Sequence, residues 1–161
     1  MELDRRAILG IGGAAAAGFL LFGRAGRAST GMRFSVKHSP AEWRRLLGPQ
    51  RYAVLREAAT ERPFTSPLLR EHRKGLFACG GCALPLFSSA TKFESGTGWP
   101  SFWKPLSGAV VTRADRSLMM ERTEVLCARC GGHLGHLFND GPKPTGLRYC
   151  MNGLALQFRQ A

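Results

Sequence analysis

Five cysteines carry most of the chemistry open to this chain. Four come as two Cys-x-x-Cys pairs, Cys79 with Cys82 and Cys127 with Cys130. Two intervening residues let both sulfurs of a pair face one ion about 2.3 Å away, and glycine eases the tight turn this needs. Four thiolates from two such knuckles form a closed tetrahedral site, which stabilises a fold and leaves no open position for substrate. The same residues could instead make redox-active or structural disulfides. Neither pair has the strand-to-helix setting of a thioredoxin-like motif, and the spacing favours zinc.

Cys150 is the remainder, and an unpaired cysteine is a candidate nucleophile. It lies in Leu147-Arg148-Tyr149-Cys150-Met151-Asn152. On a strand, Arg148 and Asn152 would share its face. His133 and His136 could return to that face through the glycine-rich loop 139–146. Such a cluster could lower a thiol pKa, hold an oxyanion and deliver protons. The plainer alternatives are a buried cysteine acting as a small hydrophobe, and histidines that are structural or metal ligands.

The elements that must position these groups are short. Ser39-Pro40-Ala41-Glu42 is a capping box with proline at the first helical position. A helix is expected to about Leu47, with Trp43, Leu46 and Leu47 inward, stopped by Gly48-Pro49. A second helix is expected from Arg51 to Ala59, then a loop to Pro67. From Gly75 on, β-prone runs at 76–78, 84–87, 109–111, 119–125 and 154–158 are broken by Gly and Pro. The expected fold is therefore mainly β and antiparallel, with short N-terminal helices.

The 161 residues suffice for one domain with a core. The formal charge of +12 suits acidic partners such as nucleic acid or an anionic membrane. Yet the basic residues are scattered, with no long run and no aromatic-basic RNA motif. A solvated basic surface is expected, and no nucleic-acid partner.

Residues 1–28 look like an export signal. Arg5-Arg6 precede an apolar stretch from Ala7 to Phe22, and Gly26-Arg27-Ala28 offers small residues for cleavage. The paired arginines resemble the twin-arginine pattern, although Asp4 stands where Ser or Thr is more usual. The apolar stretch is shorter than the roughly 20 residues of a spanning helix. The expected location is periplasmic, or membrane-anchored if the signal stays uncleaved. Residues 29–38 read as a connector, and 39–161 as a single domain.

Taken together, the motifs resemble the B-type methionine sulfoxide reductases, which act on the R epimer. The resemblance spans Trp43 to Phe158. It is carried by Thr60-Glu61-Arg62-Pro63-Phe64, by 86–93, by Ser95-Gly96-Thr97-Gly98-Trp99-Pro100-Ser101-Phe102, and by 122–125, 130–138 and 148–152. It implies two antiparallel sheets, as a β-sandwich or open barrel, with a structural Zn2+ held by Cys79, Cys82, Cys127 and Cys130. It implies that Cys150 attacks the sulfoxide sulfur and becomes a sulfenic acid. By the same resemblance His133 and His136 are the active-site histidines, Arg148 and Asn152 help activate the cysteine, and Trp99 holds the substrate methyl group. The implied partners are oxidised proteins and a thioredoxin-like or other thiol reductant.

Two departures stand out. Many members of that family have cysteine where this chain has Thr97, and it forms a disulfide with the catalytic one. Without it, an external thiol must reduce the sulfenic acid directly. Serine is usual where this chain has Gly153, and little is expected of that change beyond a looser turn. The alternative to an enzyme is a zinc-ribbon-like binding module without catalysis.

Overall fold

The computed structural model describes residues 32–117 and 121–161. The segment read as an export signal lies outside the described residues. So do the first residues of the connector and Met119, where one strand was expected to begin.

Ser39 opens the first element, helix α1 (Pro40–Glu57). Its hydroxyl accepts from the Glu42 backbone N–H at 3.2 Å, and the Glu42 carboxylate accepts from the Ser39 N–H at 2.8 Å. The two expected helices form one kinked rod. Gly48, at φ 67° and ψ 173°, leaves the helical conformation, and Pro49 restarts it. Trp43, Tyr52, Val54 and Leu55 are buried. Leu46, expected inward, is 56% exposed, because it lies about 100° around the helix from Leu47.

Among the described residues nine strands follow. They are β1 (Gly75–Cys79), β2 (Pro85–Ser88), β3 (Lys92–Phe93), β4 (Ser101–Phe102), β5 (Val110–Asp115), β6 (Arg122–Cys127), β7 (His133–Phe138), β8 (Arg148–Met151) and β9 (Leu156–Gln160). They form a three-stranded sheet in the order β2-β1-β9 and a six-stranded sheet in the order β3-β4-β8-β7-β6-β5. Every pairing is antiparallel. The run expected as a strand at 154–158 begins instead as a 3-10 turn, Gly153–Ala155, before β9.

Aromatic rings join the sheets. Phe102 of β4 stacks on Phe87 of β2 at 4.4 Å and meets the edge of Phe77 of β1 at 4.9 Å. All three are fully buried, and burying a phenylalanine contributes about 1.5–3 kcal/mol. At one end, β1 and β6 each run into a cysteine knuckle, so the two sheets meet there through sulfur. Phe34 and Val36 lie against the second knuckle. The Val36 N–H donates to the Arg129 carbonyl at 3.1 Å, and a Cβ on Gly131 (φ 68°) would come within 2.5 Å of the Phe34 ring.

β7 carries one irregularity that matters for the site. Its pairing with β6 runs Glu124↔His136, Val125↔Gly135 and then Leu126↔His133, so Leu134 is an extra residue, a β-bulge. In a regular strand His133 and His136, three apart, would point to opposite faces. The bulge brings both to one side, with ring centroids 5.4 Å apart.

Candidate active site and metal cluster

A single row of facing residues crosses the six-stranded sheet. Ser101 of β4 pairs with Cys150 of β8, Cys150 with His136 of β7, His136 with Glu124 of β6, and Glu124 with Arg113 of β5. Directly opposed residues share a face, so five strands aim five side chains at one strip of surface. The Cys150 thiol is half-buried. The Thr97 hydroxyl lies 3.7 Å from its sulfur.

Each imidazole is held by a carboxylate. His133 Nδ1 lies 2.7 Å from Glu124 Oε1 and His136 Nε2 lies 2.8 Å from Asp115 Oδ2. An ionised carboxylate only accepts, so these nitrogens carry the protons. The free nitrogens are then His133 Nε2 and His136 Nδ1. His133 is 4% exposed and its Nε2 is buried with no hydrogen-bond partner among the described residues. A bare buried nitrogen of this kind costs stability unless a ligand or proton fills it.

The carboxylates are steadied in turn. Burial pushes Glu124 up, but His133 and Arg113 outweigh it and leave the group below its ordinary value. Asp115 is held well below the usual range by the Ser117 N–H and by His136, with Arg122 adding charge. The two partners of that pair feel different forces. Asp115 is lowered partly by His136, whereas burial lowers His136 despite Asp115. Burial thus favours the neutral ring, whose Nε2–H still donates to the carboxylate.

Arg148 stacks its guanidinium 4.3 Å from the Phe138 ring centre and donates to both oxygens of Asp140 at 2.8 and 2.9 Å. Asp140, and then the charge of Cys150, hold it above its ordinary value. The guanidinium is thus a fixed cation two residues along β8 from the thiol.

Asn152 is placed differently. Its Oδ1 accepts from the Glu61 N–H at 3.0 Å, and its Nδ2 donates to the Leu134 carbonyl at 3.2 Å. Its own backbone N–H donates to that carbonyl at 2.8 Å. Asn152 therefore fastens the bulge that aligns the histidines.

Glu61 is a hub that sequence reasoning quoted only within a motif. It is 8% exposed, and its carboxylate accepts from the Gly153 N–H at 2.5 Å and the Leu154 N–H at 2.9 Å. Its carbonyl accepts from Trp99 Nε1 at 3.1 Å, fixing the half-buried indole. Gly153 is not the minor change expected of it. A Cβ there would lie 1.9 Å from Ser66 Oγ. Gly153→Ser should destabilise the protein by about 1–3 kcal/mol. Adding Ser66→Gly should restore most of the lost melting temperature; a double variant no better than the single one would contradict this steric coupling.

The four remaining cysteines cluster apart from Cys150. Cys79 and Cys130 sulfurs are 3.7 Å apart, Cys82 and Cys127 sulfurs 3.5 Å, and all four lie within 4.8 Å of one another. All are free thiols, too far apart for disulfide bonds. Four sulfurs at about 2.3 Å from a tetrahedral ion would stand roughly 3.8 Å apart, so the cluster fits a metal ion.

Sequence comparison places this geometry in context. Residues 47–160 match the SelR domain family. A peptide methionine sulfoxide reductase MsrB of Leptospira interrogans is 51% identical over 130 residues, covering 80% of this chain and 99% of that protein. Those of Agrobacterium fabrum and Bradyrhizobium diazoefficiens are 54% and 57% identical, each over 76% of this chain, and covering 92% and 88% of those proteins.

Proposed function

This chain belongs to the SelR-domain family of MsrB-type methionine sulfoxide reductases, and we propose accordingly that it reduces the R epimer of methionine sulfoxide in oxidised proteins. The buried, unpartnered Nε2 of His133, ring to ring with His136 and on the face of a metal-free thiol, is the observation that carries this reading. Once it has taken up a proton, this nitrogen is a donor where a sulfoxide oxygen would gain charge.

In the proposed reaction the Cys150 thiolate attacks the sulfoxide sulfur. The proton lost by the thiol is held on a free ring nitrogen of the histidine pair and passes from there to the oxygen, with Glu124 and Asp115 holding both rings in place. Methionine leaves, and the oxygen stays on Cys150 as a sulfenic acid: the substrate sulfur has gained two electrons and the cysteine has lost two. Arg148, held by Asp140, sets a positive charge on the same strand as that sulfur. The Trp99 indole provides an apolar face for the S-methyl group. Two thiol equivalents from a thioredoxin-like protein or a small thiol then return Cys150 to its reduced form, releasing a disulfide and water.

Zinc is the ion we assign to Cys79, Cys82, Cys127 and Cys130, in a structural role, since four thiolates suit it and leave no site for substrate. We further propose periplasmic action after twin-arginine export, on the strength of residues 1–28.

Separate R and S sulfoxide peptides test the reaction. Only the R peptide should be reduced, with Cys150 gaining one oxygen when thiol is withheld; reduction of both at like rates would overturn the epimer assignment. Thr97 Oγ1 stands 3.7 Å from the Cys150 sulfur, so a Thr97→Cys variant should form an internal disulfide on turnover. Intact mass should then fall by two hydrogens relative to the reduced variant. A persistent sulfenic acid would show that the two positions do not meet.

A further inference from the structure

Behind the thiol runs a chain of three hydroxyls. Thr97 Oγ1 is 3.7 Å from the Cys150 sulfur, Ser95 Oγ is 2.9 Å from Thr97 Oγ1, and Ser101 Oγ is 2.7 Å from Ser95 Oγ. The far end is closed by a backbone carbonyl, to which Ser101 Oγ donates at 3.1 Å, that of Trp99. Ser101 is 1% exposed, so water does not complete its bonding. The Thr97 N–H also points at Ser95 Oγ, at 3.4 Å.

A hydroxyl has one proton to give and can accept at the same time. With Cys150 protonated, the protons run one way: S–H to Thr97, Thr97 to Ser95, Ser95 to Ser101, Ser101 to the Trp99 carbonyl. With Cys150 ionised they run the other way, from Ser101 to Ser95 to Thr97 to the sulfur, and only the Trp99 carbonyl loses its donor. The reversal needs hydroxyl rotation and no movement of heavy atoms. It exchanges a neutral bond to a carbonyl for a bond to a charged sulfur, and bonds to charged groups are the stronger kind. Successive hydroxyls also polarise one another.

We infer that Thr97 is a catalytic residue, whose hydroxyl donates to the Cys150 thiolate, and that Ser95 and Ser101 are positioning residues that orient it. The relay acts on the opposite side of the sulfur from β7, since Thr97 belongs to the loop before β4 while His136 is the partner of Cys150 on β7. It deepens the proposed function, resting on Cys150 as the nucleophile.

The test is the rate at which iodoacetamide alkylates Cys150 in the metal-loaded protein at fixed neutral pH, located by peptide mass. Only the thiolate reacts appreciably. Thr97→Val, nearly the same shape, should slow alkylation about tenfold, whereas Thr97→Ser should stay within about twofold of the unchanged protein. Ser95→Ala, one link removed from the sulfur, should slow it about threefold. Alkylation of Thr97→Val at the unchanged rate, or of Thr97→Ser as slowly as Thr97→Val, would overturn the proposal. If valine disturbs the loop, Ser95→Ala decides alone: an unchanged rate there removes the relay. No sulfoxide enters this measurement. A protein inactive on both epimers would defeat the functional reading and leave the relay standing, and the converse also holds.

Discussion

Cys150→Ser is expected to lower sulfoxide reduction by more than about a thousandfold, with metal content and melting temperature unchanged. The size follows from the chemistry. The reaction requires a sulfur that can accept oxygen and later be reduced by a thiol, and a serine hydroxyl can do neither. The sparing of the fold follows from the geometry. Cys150 is no part of the four-sulfur cluster, and serine is close to it in size. The same substitution separates enzyme from binding module, since a zinc-ribbon-like module would lose nothing. Activity retained within tenfold would end the proposed mechanism; a large fall in melting temperature would mean that the thiol supports the fold.

Cys79→Ser should act on the opposite property. Metal content is expected to fall from one ion per chain to near zero. Free energy of metal binding in such sites is free energy of folding, and the thiol is fully buried at the end of β1. A loss of about 4 kcal/mol would lower the melting temperature by roughly 10 °C or more in a domain of this size. Chelation of the unchanged protein should reproduce the effect. One zinc per chain retained in Cys79→Ser would contradict the four-thiolate assignment. Residual activity per folded molecule should survive at low temperature, because Cys79 lies in the other sheet from Cys150.

The two kinds of cysteine were legible because their identity and spacing state their chemistry. The capping box at Ser39 and the break at Gly48-Pro49 were legible for the same reason, being local. Strand β7 was missed as a strand, since the bulge at Leu134 spoils the alternation by which a strand is recognised. The anchors Glu124, Asp115 and Asp140 were missed as well. An acidic residue on a strand or loop reads as solvated surface until the fold brings an imidazole or guanidinium to it. Asn152 was placed on the face of Cys150 by strand alternation, but the strand ends at Met151 and the asparagine turns to the bulge. The hydroxyl relay was invisible, because Ser and Thr are too common to signal a site.

Strand β1 lies between β2, which follows it at once, and β9, with Gly75 opposite Gln160 far along the sequence. A ribosome must therefore release β9 before the three-stranded sheet can close. Cys150 itself comes late, and gains its neighbours on β4 and β7 only once β8 has emerged and paired. Until then no strand holds Thr97 or His136 against the sulfur, and the site's parts exist only as separate stretches of sequence.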